Sequence, residues 1–142
     1  MESIKHIEGS EKVKKALGFW PSFHDAEVIS FSVSRALPID TNICFAKLVV
    51  HVQQYAEVGV GTAEYALTLI KSVLVNFIFN GVSDLSISEF NHQNVINSIK
   101  FKITEPHGSP GIYVEIESIW GFGGSLQCNN AAIESVEELP IV

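Results

Sequence analysis

At 142 residues, 46% of them hydrophobic, the chain has the size and composition of one globular domain rather than a disordered segment. Its longest candidate apolar stretch, Val73 to Phe79 with Asn76 inside it, is strand length and far short of the ~20 residues of a membrane helix, so no membrane association is expected. A formal charge of −7 repels polyanions, which disfavours nucleic acid as a partner.

Met1 to His6 lacks a basic segment followed by an apolar one, so no signal peptide is expected and the cytoplasm is the expected location. Ser10 is expected to cap a short helix whose Val13, Ala16 and Leu17 follow helical spacing. Gly18 suits the residue just past that helix, and Pro21 bars its continuation. From Glu27 the period becomes two, with Ile29, Phe31 and Val33 on one face and Ser30, Ser32 and Ser34 on the other. Ala36 to Asn42 reads as a loop, Ile43 to Val52 as a second strand, and Gln53 to Glu64 as a long hairpin loop with strand extensions.

Leu67 to Phe79 reads as a long central strand. Asn80-Gly81 then predicts a type I′ hairpin turn, because both central residues of that turn need positive φ. Val82 to Phe90 is the expected returning strand, with Leu85 and Ile87 at alternate positions. Ile99, Phe101 and Ile103 mark the next strand, and Glu105 to Pro110 a turn. Ile112, Val114 and Ile116 then alternate with Tyr113, Glu115 and Glu117. Gly121 to Gly124 turns again before a short strand holding Leu126 and Cys128, and Ala132 to Glu137 reads as a last strand. The expected class is α+β, mostly β: one domain over residues 1–142, with antiparallel sheet of about seven or eight strands and a short N-terminal helix.

Cys44 and Cys128 lie far apart in apolar stretches and read as buried thiols in a reducing compartment. No CxxC or zinc-spaced His/Cys cluster occurs, so neither a metal nor another cofactor is expected. Lys12, Lys14 and Lys15 make the helix basic. From Glu105 onward there is no Lys or Arg, against Glu105, Glu115, Glu117, Glu134, Glu137 and Glu138. Such acidity would attract a basic protein, and it equally serves solubility.

Three constellations stand out. Trp20-Pro21-Ser22-Phe23-His24-Asp25 leads into the first long strand. An adjacent His-Asp pair can ligate a metal, but that chemistry needs further ligands at helical spacing, which are missing here. The structural alternative has Asp25 accepting from backbone amides, His24 bonding across the corner, and Trp20 and Phe23 packing beneath. Phe90-Asn91-His92-Gln93-Asn94 can satisfy backbone groups where strands separate, or line a pocket with His24 and Asp25. Tyr113, Glu115 and Glu117, with Trp120 nearby, form a candidate protein-binding stripe, since aromatics anchor and acids steer a basic partner. The bland alternative is an ordinary wet strand face. No GxSxG, Cys-His neighbour or phosphate loop supports catalysis.

The segments Trp20-Pro21-Ser22-Phe23-His24-Asp25-Ala26-Glu27-Val28 and Phe90-Asn91-His92-Gln93-Asn94-Val95-Ile96 together resemble the immunity protein 50 family of small bacterial proteins. Phe79-Asn80-Gly81-Val82 resembles the middle element of that pattern, and the glycine-rich turn before Leu126 and Cys128 fits its end. The resemblance spans most of the chain from Trp20. It implies a non-enzymatic protein that binds a cognate polymorphic toxin and blocks it, with no catalytic residues to carry over. It also implies that shared residues hold the fold while variable surfaces meet the toxin. The competing expectations are a small enzyme or ligand binder with a pocket around His24, Asp25 and His92, and an oligomeric scaffold such as a homodimer.

Overall fold

The computed structural model describes residues 2–41, 43–105 and 110–141. In chain order the elements are β1 (Ile7–Glu8), α1 (Ser10–Leu17), β2 (Glu27–Arg35), β3 (Cys44–Val58), β4 (Ala66–Asn80), β5 (Ser83–Ser88), β6 (Val95–Thr104), β7 (Gly111–Trp120), β8 (Gly123–Cys128) and β9 (Asn130–Glu138). Among the described residues all nine strands share one sheet, ordered β1-β9-β4-β3-β2-β6-β7-β8-β5. The class is therefore α+β and mostly β, but the expected seven or eight antiparallel strands become nine in a mixed sheet. The added strand, β1, pairs parallel to β9. Two residues are too few to show alternation, so the sequence carries no sign of it.

The helix stands where its periodicity places it, with Val13 and Leu17 buried and the Gly18 amide donating to the Lys14 carbonyl at 2.7 Å. Ser10 is its first residue, not its cap. Gly9 precedes it in a left-handed conformation, and no side chain caps the N-terminus.

The sheet curls strongly. Two strands separate β4 from β6, a gap of roughly 14 Å on a flat sheet. Yet the rings of Phe77 on β4 and Phe101 on β6 lie 6.1 Å apart. At the β2–β6 junction Glu27 and Val95 make the one registered pair. The core sits inside the curl, with Val50, Val75, Phe77, Phe79, Val114 and Leu126 all at most 1% exposed.

Asn80-Gly81 is a corner, not a hairpin. β5 pairs with β8, while both edges of β4 are taken by β3 and β9. A strand returning alongside β4 would have no free edge to bond. Instead the β4–β5 and β8–β9 ribbons bend together: the Asn129 amide donates to the Asn80 carbonyl and the Val82 amide to the Cys44 carbonyl, both at 2.8 Å. Gly81, at φ 68°, has no Cβ to strike the Asn129 side chain that crosses it.

β2 also departs from simple alternation. A bulge falls between Val28 and Ser30, and Ile29 and Val33 remain exposed while Phe31 is half-buried. Beyond Glu27, β6 no longer flanks this strand, so its expected apolar face is only partly covered. The first half of the Gln53–Glu64 stretch is strand, with β3 paired to β4 out to Val58 and Ala66, and the turn of the hairpin follows from Gly59. The expected Ala36–Asn42 loop contains a 3-10 turn at Ile39–Thr41. Residues 106–109 of the expected Glu105–Pro110 turn lie outside the described residues. Both cysteines are free, Cys128 buried and Cys44 half-buried.

Candidate functional site

The segment after Pro21 makes a tight corner onto the sheet. Phe23 and Asp25 both take positive φ, 69° and 65°. The Asp25 amide donates to the Ile96 carbonyl at 2.9 Å, and the Ile96 amide donates back to Ala26 at 2.9 Å. Phe23 is buried, its ring 5.6 Å from both Trp20 and Phe77 in edge-on contacts. Trp20 and Phe23 thus pack beneath the corner as the sequence suggests.

Asp25 acts differently from the expectation. Its side chain is 72% exposed, and its carboxylate meets His24 Nε2 at 3.5 Å rather than any described backbone amide. What the corner uses is the readiness of Asp to adopt a left-handed backbone. His24 does bond across the corner: Nδ1 lies 2.9 Å from Asn97 Oδ1. Asn97 donates through Nδ2 to the Glu117 carboxylate, which can only accept, so Asn97 Oδ1 faces His24 and Nδ1 carries the proton. Glu117 continues to Lys100 at 3.8 Å. The His-Asp pair and Glu117, far apart in sequence, therefore belong to one exposed polar chain. Exposed pairs of this kind contribute roughly 0–1 kcal/mol each.

Asn94 is the buried polar centre. Its Oδ1 accepts from the amides of Asn91 at 2.9 Å and Phe122 at 3.1 Å. Its Nδ2 donates to the carbonyls of Asn91 at 2.9 Å and Val28 at 3.4 Å. All four hydrogen-bonding positions of the amide are used, so one side chain joins β2, the 90–94 segment and the β7–β8 turn. Gly121, at φ 81°, lets that turn approach, since a Cβ there would strike the Gln93 carbonyl and Asn94. Asn91 Oδ1 accepts from the Gln93 amide at 3.0 Å. His92 and Gln93 project outward, exposed.

On β7 the alternation holds: Ile112, Val114 and Ile116 are buried, Glu115 and Glu117 exposed, and Tyr113 half-buried. The stripe is not purely acidic, however. In register, Lys102 stands opposite Tyr113 and Lys100 opposite Glu115. Trp120 is 57% exposed at the far end of the strand, about 23 Å along from Tyr113. Its row runs across the sheet through Val95, Glu27 and His51.

A cavity of about 560 Å³ lies between α1 and β9, lined by Lys12, Lys15, Ala16, Glu134, Val136 and Glu138. Another of about 270 Å³ lies beside Trp20 and Pro21, with Ile4, Ser98, Lys100 and Phe101 in its wall. Neither includes His24, Asp25 or His92. Among the described residues no three His, Cys, Asp or Glu side chains group so as to hold a metal ion. No helix among them is long and apolar enough to cross a membrane.

The expected hairpin over Gln53–Glu64 carries a further surface feature. β2 leaves β3 after His51, and β9 joins β4 only from Val73. Between these points β3 and β4 project as a two-stranded arm. Tyr55, Glu57, Tyr65 and Leu67 are all exposed on it. The strand extensions expected for Gln53–Glu64 form this ribbon, and the glycines and missing period hide only how far its strands run.

A family model described as immunity protein 50 matches residues 9–139. No curated protein and no solved structure matches the chain.

Proposed function

We propose that this chain, which belongs to the immunity protein 50 family, binds a cognate bacterial toxin domain in the cytoplasm and neutralises it by covering its active surface. The family match across 9–139 is the observation that carries this reading. Occlusion requires no bond to be made or broken, only a stable and specific contact. A sheet supplies that well, because side chains held on strands lose little freedom on docking.

Trp120, Tyr113, Glu115 and Glu117 are the proposed contact residues. Trp120 offers an exposed aromatic anchor, and the carboxylates steer a basic partner. Lys100 and Lys102 temper that field, which leaves Trp120 as the strongest of the four. In this reading His24, Asp25, Asn91 and Asn94 hold the corner that presents the sheet.

The test is co-expression with the toxin domain encoded beside this chain. Growth protection and co-purification are expected. Neither protection nor a complex with that neighbour would sink the reading. Trp120→Ala is expected to weaken the complex by roughly 2 kcal/mol, about thirtyfold.

A further inference from the structure

We infer that the outward face of the β3–β4 arm is the anchor by which this chain grips its toxin, and that it takes a partner presenting an apolar pocket with a cationic rim. The inference rests on the immunity reading above and specifies where contact is made.

The arm is an unusual thing for an unpartnered protein to carry. A two-stranded ribbon without a third strand or a covering layer is marginally stable in water. Among the described residues this one is braced only at its base, where Gln54 and Lys71 donate to the Leu17 and Ala16 carbonyls of α1, and beyond that it exposes Tyr55 by 54%, Tyr65 by 50% and Leu67 by 62%. Grouped apolar exposure of this kind marks an interaction surface.

The rings are also held in place. The Tyr65 hydroxyl donates to the Glu57 carboxylate across the arm at 3.3 Å, and the Tyr55 hydroxyl donates to Gln53 Oε1 at 3.3 Å. Tethered tyrosines lose little freedom on binding, which makes them good anchors.

Charge selects the kind of partner. Glu57 and Glu64 are the carboxylates of the arm, and its cation, Lys71, is turned to α1 and β9, where Nζ donates to the Ala16 carbonyl and lies 3.5 Å from Glu138. Glu117, by contrast, has Lys100 beside it. Two copies docking arm to arm would bring these uncompensated carboxylates together, which disfavours self-pairing. A cationic rim relieves them.

The arm also continues the face already proposed. His51, Gln53, Tyr55 and Glu57 share one side of β3 by alternation, and His51 lies in the row of Trp120. Tyr55 pairs with Leu69 and Glu57 with Leu67, which puts both leucines on that side too.

Calorimetric titration of the full chain with the toxin domain encoded beside it tests this. The variants are a Tyr55→Ser, Leu67→Ser pair and, separately, Glu57→Lys, each checked for an unchanged far-ultraviolet spectrum. The serine pair is expected to raise Kd at least tenfold and to abolish growth protection. Glu57→Lys, which leaves the apolar surface intact, is expected to raise Kd more at low salt than at high salt. Tight wild-type binding with both variants unchanged would overturn the arm and leave the immunity reading standing. No wild-type binding or protection would remove both. A wild-type dimer in light scattering that the serine pair dissociates, and that the toxin domain does not displace, would assign the arm to a second copy instead.

Discussion

The side-chain carbonyl of Asn94 accepts from the Phe122 amide at 3.1 Å, tying the turn after β7 to the polar segment before β6. That amide is buried and loses its side-chain acceptor when Asn94 is truncated. Asn94→Ala is expected to cost about 2–4 kcal/mol, because orphaned buried groups cost roughly 1–3 kcal/mol each and the Asn91 amide loses the same oxygen. Urea unfolding measures it. A loss below the cost of one orphaned amide would mean that the joint is not made through this side chain.

Phe77 is 1% exposed, and its ring meets those of Trp20, Phe23, Phe79 and Phe101. It spans the interior between β4 and β6, so truncation opens a cavity that neither strand can close alone. Phe77→Ala is expected to destabilise by about 3–5 kcal/mol, read from the urea midpoint at constant slope.

Asp25 separates a backbone role from a chemical one. At φ 65° a glycine fits freely and a β-branched residue does not. Asp25→Gly is expected to keep the fold and growth protection, and Asp25→Val to lose about 1–2 kcal/mol. Loss of protection in a stably folded Asp25→Gly would return the carboxylate to the functional surface.

Burial pushes the Cys128 thiol up to about 12 from its usual 9.0. The unfolded thiol releases its proton above pH 9 while the folded one keeps it, so the unfolded state binds fewer protons. Stability from this group is therefore full below pH 9 and falls between pH 9 and 12, by about 1.4 kcal/mol per unit. Cys128→Ala is expected to flatten that alkaline fall in a series of urea titrations. An equally steep fall in the variant would place its origin in other groups.

Much of this protein was legible along the chain. Alternation in Ile112–Glu117 sorts buried from exposed residues correctly, because period two depends only on a strand having one covered face. The α1 periodicity, the Trp20–Phe23 packing and the four amide-rich residues before β6 were likewise local signals. The segments that resemble the family are the corner and the Asn94 joint, which hold the curled sheet together.

Pairing partners were not legible, because a strand's sequence states which face is apolar but not which edge is free. Asn80-Gly81 carries the chemistry of a hairpin, yet β3 and β9 already occupy both edges of β4, so the same dipeptide becomes a corner. Lys100 and Lys102 stand beside Tyr113 and Glu115 only through the β6–β7 register, which reduces the acidity of a stripe that reads as acidic in isolation. His24 reaches Glu117 only because a bulge in β6 turns Asn97 toward both. By itself the sequence determined the class, the core face of β7 and the family. The tertiary structure decided the neighbours, and with them the arm, since a strand left without a third partner exposes what alternation alone would have called ordinary.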